Sequence, residues 1–82
     1  MLMVLEDNVA QRFGEGEYTL VITLAAASTA TLEMSVDGGT TYVGASDGAF
    51  TTEGGHTRNL KLQSSCLLRV QTTGTATVQV AD

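Results

Sequence analysis

His56 is the only histidine in this chain and Cys66 the only cysteine, so any chemistry that needs an imidazole or a thiol must run through those two residues. A hydrolytic triad would have to join His56 to an aspartate and to one of Ser28, Ser35, Ser46, Ser64 or Ser65. No G-x-S-x-G nucleophile elbow is present, and a chain of 82 residues leaves little room for a substrate cleft. His56, beside Gly54-Gly55, reads as a solvated loop residue. Cys66 opens the apolar run Cys66-Leu67-Leu68 and reads as a buried small hydrophobe. One cysteine excludes an internal disulfide, and one cysteine with one histidine falls short of the four ligands of a structural zinc. Asp37, Asp47, Glu53 and Asp82 could offer oxygens to calcium, but no loop sets three of them at the alternate spacing of an EF-hand-type site. The expectation is a protein that is not an enzyme, with no catalytic, cofactor-binding or metal-binding residues.

Phe13, Tyr18, Tyr42 and Phe50 are the only aromatics, and tryptophan is absent. A core this small needs most of them, which leaves little for stacking on a sugar. An exposed Tyr42 and Phe50 pair is the feature that would favour a carbohydrate- or receptor-binding module. Four basic against nine acidic residues give a net charge of −5, the wrong sign for neutralising phosphates, so nucleic acid is not an expected partner. No segment approaches the length of a membrane span. The opening Met1-Leu2-Met3-Val4-Leu5-Glu6-Asp7 lacks the basic region and long apolar run of a secretory leader. A soluble protein made in the cytosol, with no membrane partner, is expected.

The elements that must carry these residues follow a period of two. From Tyr18 onward apolar and β-branched residues alternate with threonine and polar residues, the pattern of half-buried strands. Glu17 to Ala25 sets Tyr18, Leu20, Ile22 and Leu24 on one face. Ala25-Ala26-Ala27-Ser28 bends the chain, and Ala30 to Val36 follows with Ala30, Leu32, Met34 and Val36 inward. Asp37-Gly38-Gly39 predicts a hairpin with a primed turn, because Gly and Asp tolerate positive φ, with Thr40 to Gly44 as the return strand. The stretch Ala45 to His56 reads as irregular around Phe50. Thr57 to Gln63, Cys66 to Thr72 and Thr75 to Ala81 are further strands, the last two joined at Thr73-Gly74 in a tight hairpin.

Residues 1–16 are an N-terminal segment, either an arm or a first strand over Met1 to Leu5, and residues 17–82 a single domain. The expected fold is all-β: a compact β-sandwich or small barrel, jelly-roll-like, of six to seven short antiparallel strands. Ser35-Val36-Asp37-Gly38-Gly39-Thr40-Thr41-Tyr42 also has the spacing S-x-D-x-G-x-T plus aromatic of the Asp-box hairpins of sialidases and other propellers. One domain cannot supply a propeller's blades. Asp37, Gly38, Gly39 and Tyr42 are therefore read as a structural hairpin, with the Asp37 carboxylate bonding turn amides.

Proline, one of the devices that blunt exposed sheet edges, is absent. Leu20-Val21-Ile22 and Cys66-Leu67-Leu68 put apolar groups on both faces of their strands, and a two-layer domain buries only one. Val21 and Leu67 are thus candidates for an interface with a neighbouring subunit or host surface, unless a loop covers them. A domain of this size buries only about 60% of its unfolded surface, so support from partner subunits is expected.

The run from Ala30 through Val43, with Leu67-Leu68-Arg69-Val70 and Thr73-Gly74-Thr75-Ala76-Thr77-Val78, resembles small virion structural proteins of tailed bacteriophages, among them head decoration (cement) proteins. The likeness spans residues 17–82. It implies a homotrimeric β-sandwich on the outer surface of the capsid shell, clamping neighbouring copies of the major capsid protein and so stabilising it. It implies no catalytic or cofactor residues. The location implied is the virion, with synthesis in the host cytoplasm. On this reading Leu2, Val4 and Leu5 form an N-terminal anchor that orders on the shell, and Val21, Leu67 and Arg69 complete the subunit or capsid interface. The same kind of threonine- and glycine-rich strands occurs in tail and fibre modules, which keeps the carbohydrate- or receptor-binding alternative in view.

Overall fold

The computed structural model describes residues 2–82. Met1 lies outside the described residues, as do the side chains of Ser46 and Asp47, one from the candidate serine set and one from the candidate calcium set. Eight strands run in chain order: β1 (Leu2–Leu5), β2 (Gln11–Phe13), β3 (Gly16–Leu24), β4 (Thr29–Ser35), β5 (Val43–Phe50), β6 (Gly54–Leu62), β7 (Cys66–Thr73) and β8 (Ala76–Ala81). They form two four-stranded antiparallel sheets, sheet A in the order β1-β8-β3-β6 and sheet B in the order β2-β7-β4-β5.

That order is a jelly roll. The pairs β4 with β5, β3 with β6, β2 with β7 and β1 with β8 are nested, as in one long hairpin whose tip lies between β4 and β5. Rolling this ribbon adds the β3–β8 and β4–β7 pairs, and the two sheets close on each other. The all-β sandwich expected from the alternation is the fold observed.

Alternation also decides the core. Leu20, Ile22 and Leu24 of β3, Val78 and Val80 of β8, Leu5 of β1 and Leu62 of β6 face Ala30 and Leu32 of β4, Cys66, Leu68 and Val70 of β7, Phe13 of β2 and Phe50 of β5. Each large aliphatic group so buried contributes about 1.5–3 kcal/mol before the entropy of ordering it is subtracted. Tyr18 closes one end of this core, its ring edge-on to Phe13 at 5.5 Å and its hydroxyl donating to the Gly14 carbonyl at 2.8 Å.

Four local expectations are corrected. First, Gln11–Phe13 is a strand that was not foreseen, reached through a turn at Asn8 with φ 59°. Second, Ala45 to His56 is not irregular: it holds most of β5, a short turn and the start of β6. Third, β7 and β8 do not form a hairpin at Thr73-Gly74, since they belong to different sheets. Gly74, at φ 70°, turns the chain across the sandwich instead. The Thr75 N–H donates to buried Ser28 Oγ at 2.9 Å and the Ala25 N–H to the Thr75 carbonyl at 3.0 Å, tying this crossing to the β3–β4 crossing beside it. Fourth, β4 stops at Ser35, so Val36 is not inward but 74% exposed.

Candidate interaction surface

Register places the outward residues of sheet A in rows. Val4 lies beside Gln79, which lies beside Val21, which lies beside Thr57; Leu2, Ala81, Thr19 and Asn59 form the adjacent row. Thr77 and Thr23 pair beyond them. The only charged side chains among these outward positions of the four strands are Glu17 and Lys61, directly opposite each other. Leu2 and Val4 are 61% and 49% exposed, and Val21 is half-buried. A shallow groove of about 420 Å³, lined by Glu17, Tyr18, Thr19, Asn59, Leu60 and Lys61, borders this face. The result is a threonine-rich surface with an apolar corner, on a chain that carries net charge −5.

Three of the six expected interface residues, Leu2, Val4 and Val21, therefore meet on one sheet. The other three do not join them. Leu5 faces inward and is 3% exposed, because the strand's alternation gives Met3 and Leu5 to the core and Leu2 and Val4 to solvent. Its assignment to an anchor is corrected: within this chain it is a core residue. Leu67 and Arg69 lie on the outer face of sheet B, on the far side of the molecule.

There the chain covers itself. Ser35 Oγ–H and the Thr41 N–H both donate to Asp37 Oδ1, at 2.7 and 2.9 Å, and the Gly39 N–H donates to Ser35 Oγ at 2.9 Å. The Asp37 carboxylate thus bonds a turn amide, as the Asp-box spacing predicts. The amide and hydroxyl donors hold its pKa below the usual carboxylate value. Gly38 and Gly39 both take positive φ, 78° and 97°, but within a seven-residue loop (36–42) and not a two-residue primed turn. The loop folds back over Leu67: a Cβ at Gly39 would sit 3.3 Å from Leu67 Cδ1 and 3.4 Å from the Tyr42 hydroxyl. Tyr42 stacks on the Arg69 guanidinium, 3.6 Å from ring centroid to Cζ, while Arg69 Nε donates to Glu33 Oε1 at 2.7 Å. Gln71 Nε2 bridges from Asn8 Oδ1 at 2.7 Å towards the same Glu33 oxygen.

The residues weighed for chemistry are dispersed. His56 Nε2 donates to the Thr52 carbonyl at 2.7 Å and its ring tilts against Phe50. Ser28 serves the crossing at Gly74, Ser35 the Asp37 loop, and Ser65 Oγ accepts from Arg12 at 3.3 Å. Burial pushes the Cys66 thiol up, with Arg12 opposing the shift. Among the described residues no three His, Cys, Asp or Glu side chains gather where a metal ion could sit. Phe50 is in the core and Tyr42 is spent on Arg69, so the two do not form an exposed aromatic pair.

Sequence reasoning missed a second apolar spot. Val36 and Val43, the latter 63% exposed, flank a groove of about 220 Å³ with Met34 at the loop end of the sandwich. The signal was in the Asp-box spacing, which ends the strand at Ser35 and strips Val36 of an inward partner. No family model, no curated protein and no solved structure matches this chain.

Proposed function

We propose that the chain is a non-enzymatic structural protein of a virion, a capsid decoration protein that binds the outer surface of the major capsid shell as a trimer and stabilises it. The observation that carries this reading is the outer face of sheet A, where Leu2, Val4 and Val21 stand among threonines and one compensated charge pair. Cementing requires a small rigid body that buries surface across subunit boundaries and demands no catalytic group. The face fits that task because Thr19, Thr23, Thr57 and Thr77 supply most of its polar groups as short hydroxyls, which lose less rotamer freedom when covered than long charged side chains do. The jelly roll is also a frequent fold of viral shell proteins. Against the sugar-binding alternative stands the absence of an exposed aromatic platform at Tyr42 and Phe50.

The test is co-sedimentation of the purified protein with tailed-phage capsids lacking decoration, beside the Val4→Glu and Val21→Glu variants. Saturable binding that raises the heat resistance of the shell, and that fails in both variants while they remain folded, is the expected result. Binding that survives both substitutions would place the contact elsewhere. Binding to glycans and to no capsid would overturn the reading.

A further inference from the structure

Along β6 the core-side pattern changes character midway. Leu62 and Leu60 pack on the core, but the next core-side position, level with buried Leu20 of β3, is Arg58. A cation stands where the alternation asks for an apolar group. β5, the edge of sheet B on the same flank of the sandwich, is irregular nearby. Between the pairs Thr31–Ala49 and Glu33–Gly44 the single residue Leu32 faces Ala45 to Gly48, so β5 carries three residues more than the ladder needs. Between these two irregularities lies a pocket of about 110 Å³. Leu20, Leu32, Ala45 and Leu60 line it, and the exposed Arg58 and Asn59 form its rim. Its floor is the core itself, for Leu20 and Leu32 are 2% and 1% exposed. Gly48 also lines it and approaches Leu32 so closely that a Cβ there would lie 3.2 Å from Leu32 Cβ.

We propose that this pocket binds a small apolar carboxylate: the apolar group enters between β5 and β6, and its carboxylate takes the Arg58 guanidinium. Size sets the first half of that chemistry. A cavity of about 150 Å³ lined by aliphatic side chains holds a benzene molecule, so this pocket is of the order of a single ring or a short branched chain. Charge sets the second half. Arg58 donates from Nη1 to the Thr57 carbonyl at 2.8 Å and stands 5.1 Å from the centre of the Phe50 ring, contacts that hold it at the flank. Among the described residues it forms no ion pair, whereas Arg69 on the other sheet has Glu33. A guanidinium offers five N–H donors in a planar fork, and a carboxylate is the group whose two oxygens fit that fork. An inward charge also serves to blunt a sheet edge. That role needs no pocket behind the charge, and a protein using Arg58 for it alone would bind no such ligand. The site lies on the flank between the sheets and does not depend on the capsid reading.

Titration of benzoate into the isotope-labelled full chain, followed by amide chemical shifts, tests the site. Saturable shifts gathered at Leu20, Leu32, Gly48 and Arg58 to Leu60 are expected. Benzyl alcohol, with the ring and no charge, should bind about tenfold more weakly, and acetate, with the charge and no ring, should produce no saturable shift. Arg58→Gln should lower benzoate to the level of benzyl alcohol. Ala45→Leu fills the pocket and should abolish the shifts, with Leu60→Phe as the second filling variant should the first fail to fold by circular dichroism. Benzoate shifts that do not saturate or that scatter over the surface, binding that survives a folded filling variant, or equal binding to Arg58→Gln overturns the site.

Discussion

On sheet B, Leu67 lies beneath the 36–42 loop and Arg69 is held between Tyr42 and Glu33. On sheet A, among the described residues, no loop lies over Leu2, Val4 or the half-buried Val21. Both sheets began with the same problem, apolar groups on the outward side of a strand, and they solve it differently. Sheet B spends a glycine-rich loop, two acidic residues and an aromatic on covering itself. On sheet A no described loop folds over the outer face, and Leu2 and Val4 stand 61% and 49% exposed. The contrast teaches that an apolar outward residue is informative only together with the loop that does or does not fold over it.

The comparison can be broken or sharpened by mutation. The largest effects belong to the shared core, where the two sheets should not differ: Leu68→Ala in sheet B and Leu20→Ala in sheet A are each expected to cost about 2–5 kcal/mol in chemical denaturation. A large inequality would mean that the sheets do not share one core. Next comes Gly39→Val, expected to cost about 1–3 kcal/mol, since it forces a β-branched residue into positive φ and presses on Leu67. Gly38→Val, with open space around its Cβ, should cost less, and equal melting temperatures would show that the loop does not bear on Leu67.

Smaller still is the outer-face comparison itself. Arg69→Ala removes a half-exposed ion pair and a cation–π stack, for an expected loss of about 1 kcal/mol. Val21→Thr on the bare face should stay within about 0.5 kcal/mol. If Val21→Thr proves the costlier of the two, sheet A is covered in solution, and the oligomer is where to look. Least in size is a pH effect. Asp37 has its pKa lowered by the Thr41 amide and the Ser35 hydroxyl, so its contribution to the loop is complete above the ordinary carboxylate range. It should fade as the pH falls through that range and below it, exposing the Thr41 amide to faster hydrogen exchange after allowance for the chemical rate. Asp37→Asn should abolish that dependence.

Much of this architecture was legible in the residues. β3, β4, β6, β7 and β8 each carry the alternation that a half-buried strand demands, and their inward sets, Val36 and the start of β6 aside, were readable one by one. β5 was not, because Val43 to Phe50 is built of glycine, alanine and small polar residues with no apolar period; it is a strand because β4 offers it a partner. β2 is too short to show any period. Thr73-Gly74 misled for a different reason: a glycine at positive φ serves a hairpin and a crossing between sheets equally well, and only tertiary pairing tells them apart. The surface was half legible. Val21 and Leu67 looked alike in sequence, and Gly39, whose loop separates their fates, is 28 residues from Leu67 in the chain.

The nested pairing of the strands also orders events in time. Closing a pair costs more entropy the more chain it encloses, so the β4–β5 tip forms first and pairing zips outward through β3–β6 and β2–β7. β1 against β8 encloses nearly the whole polypeptide and forms last. Folding of such a non-local topology runs on roughly the millisecond-to-second scale. A newly made chain therefore spends its final folding phase with β1 undocked and the side of β8 that receives it open. The outermost strand of sheet A, whose outward side carries Leu2 and Val4, is thus the last piece of that face to be laid down.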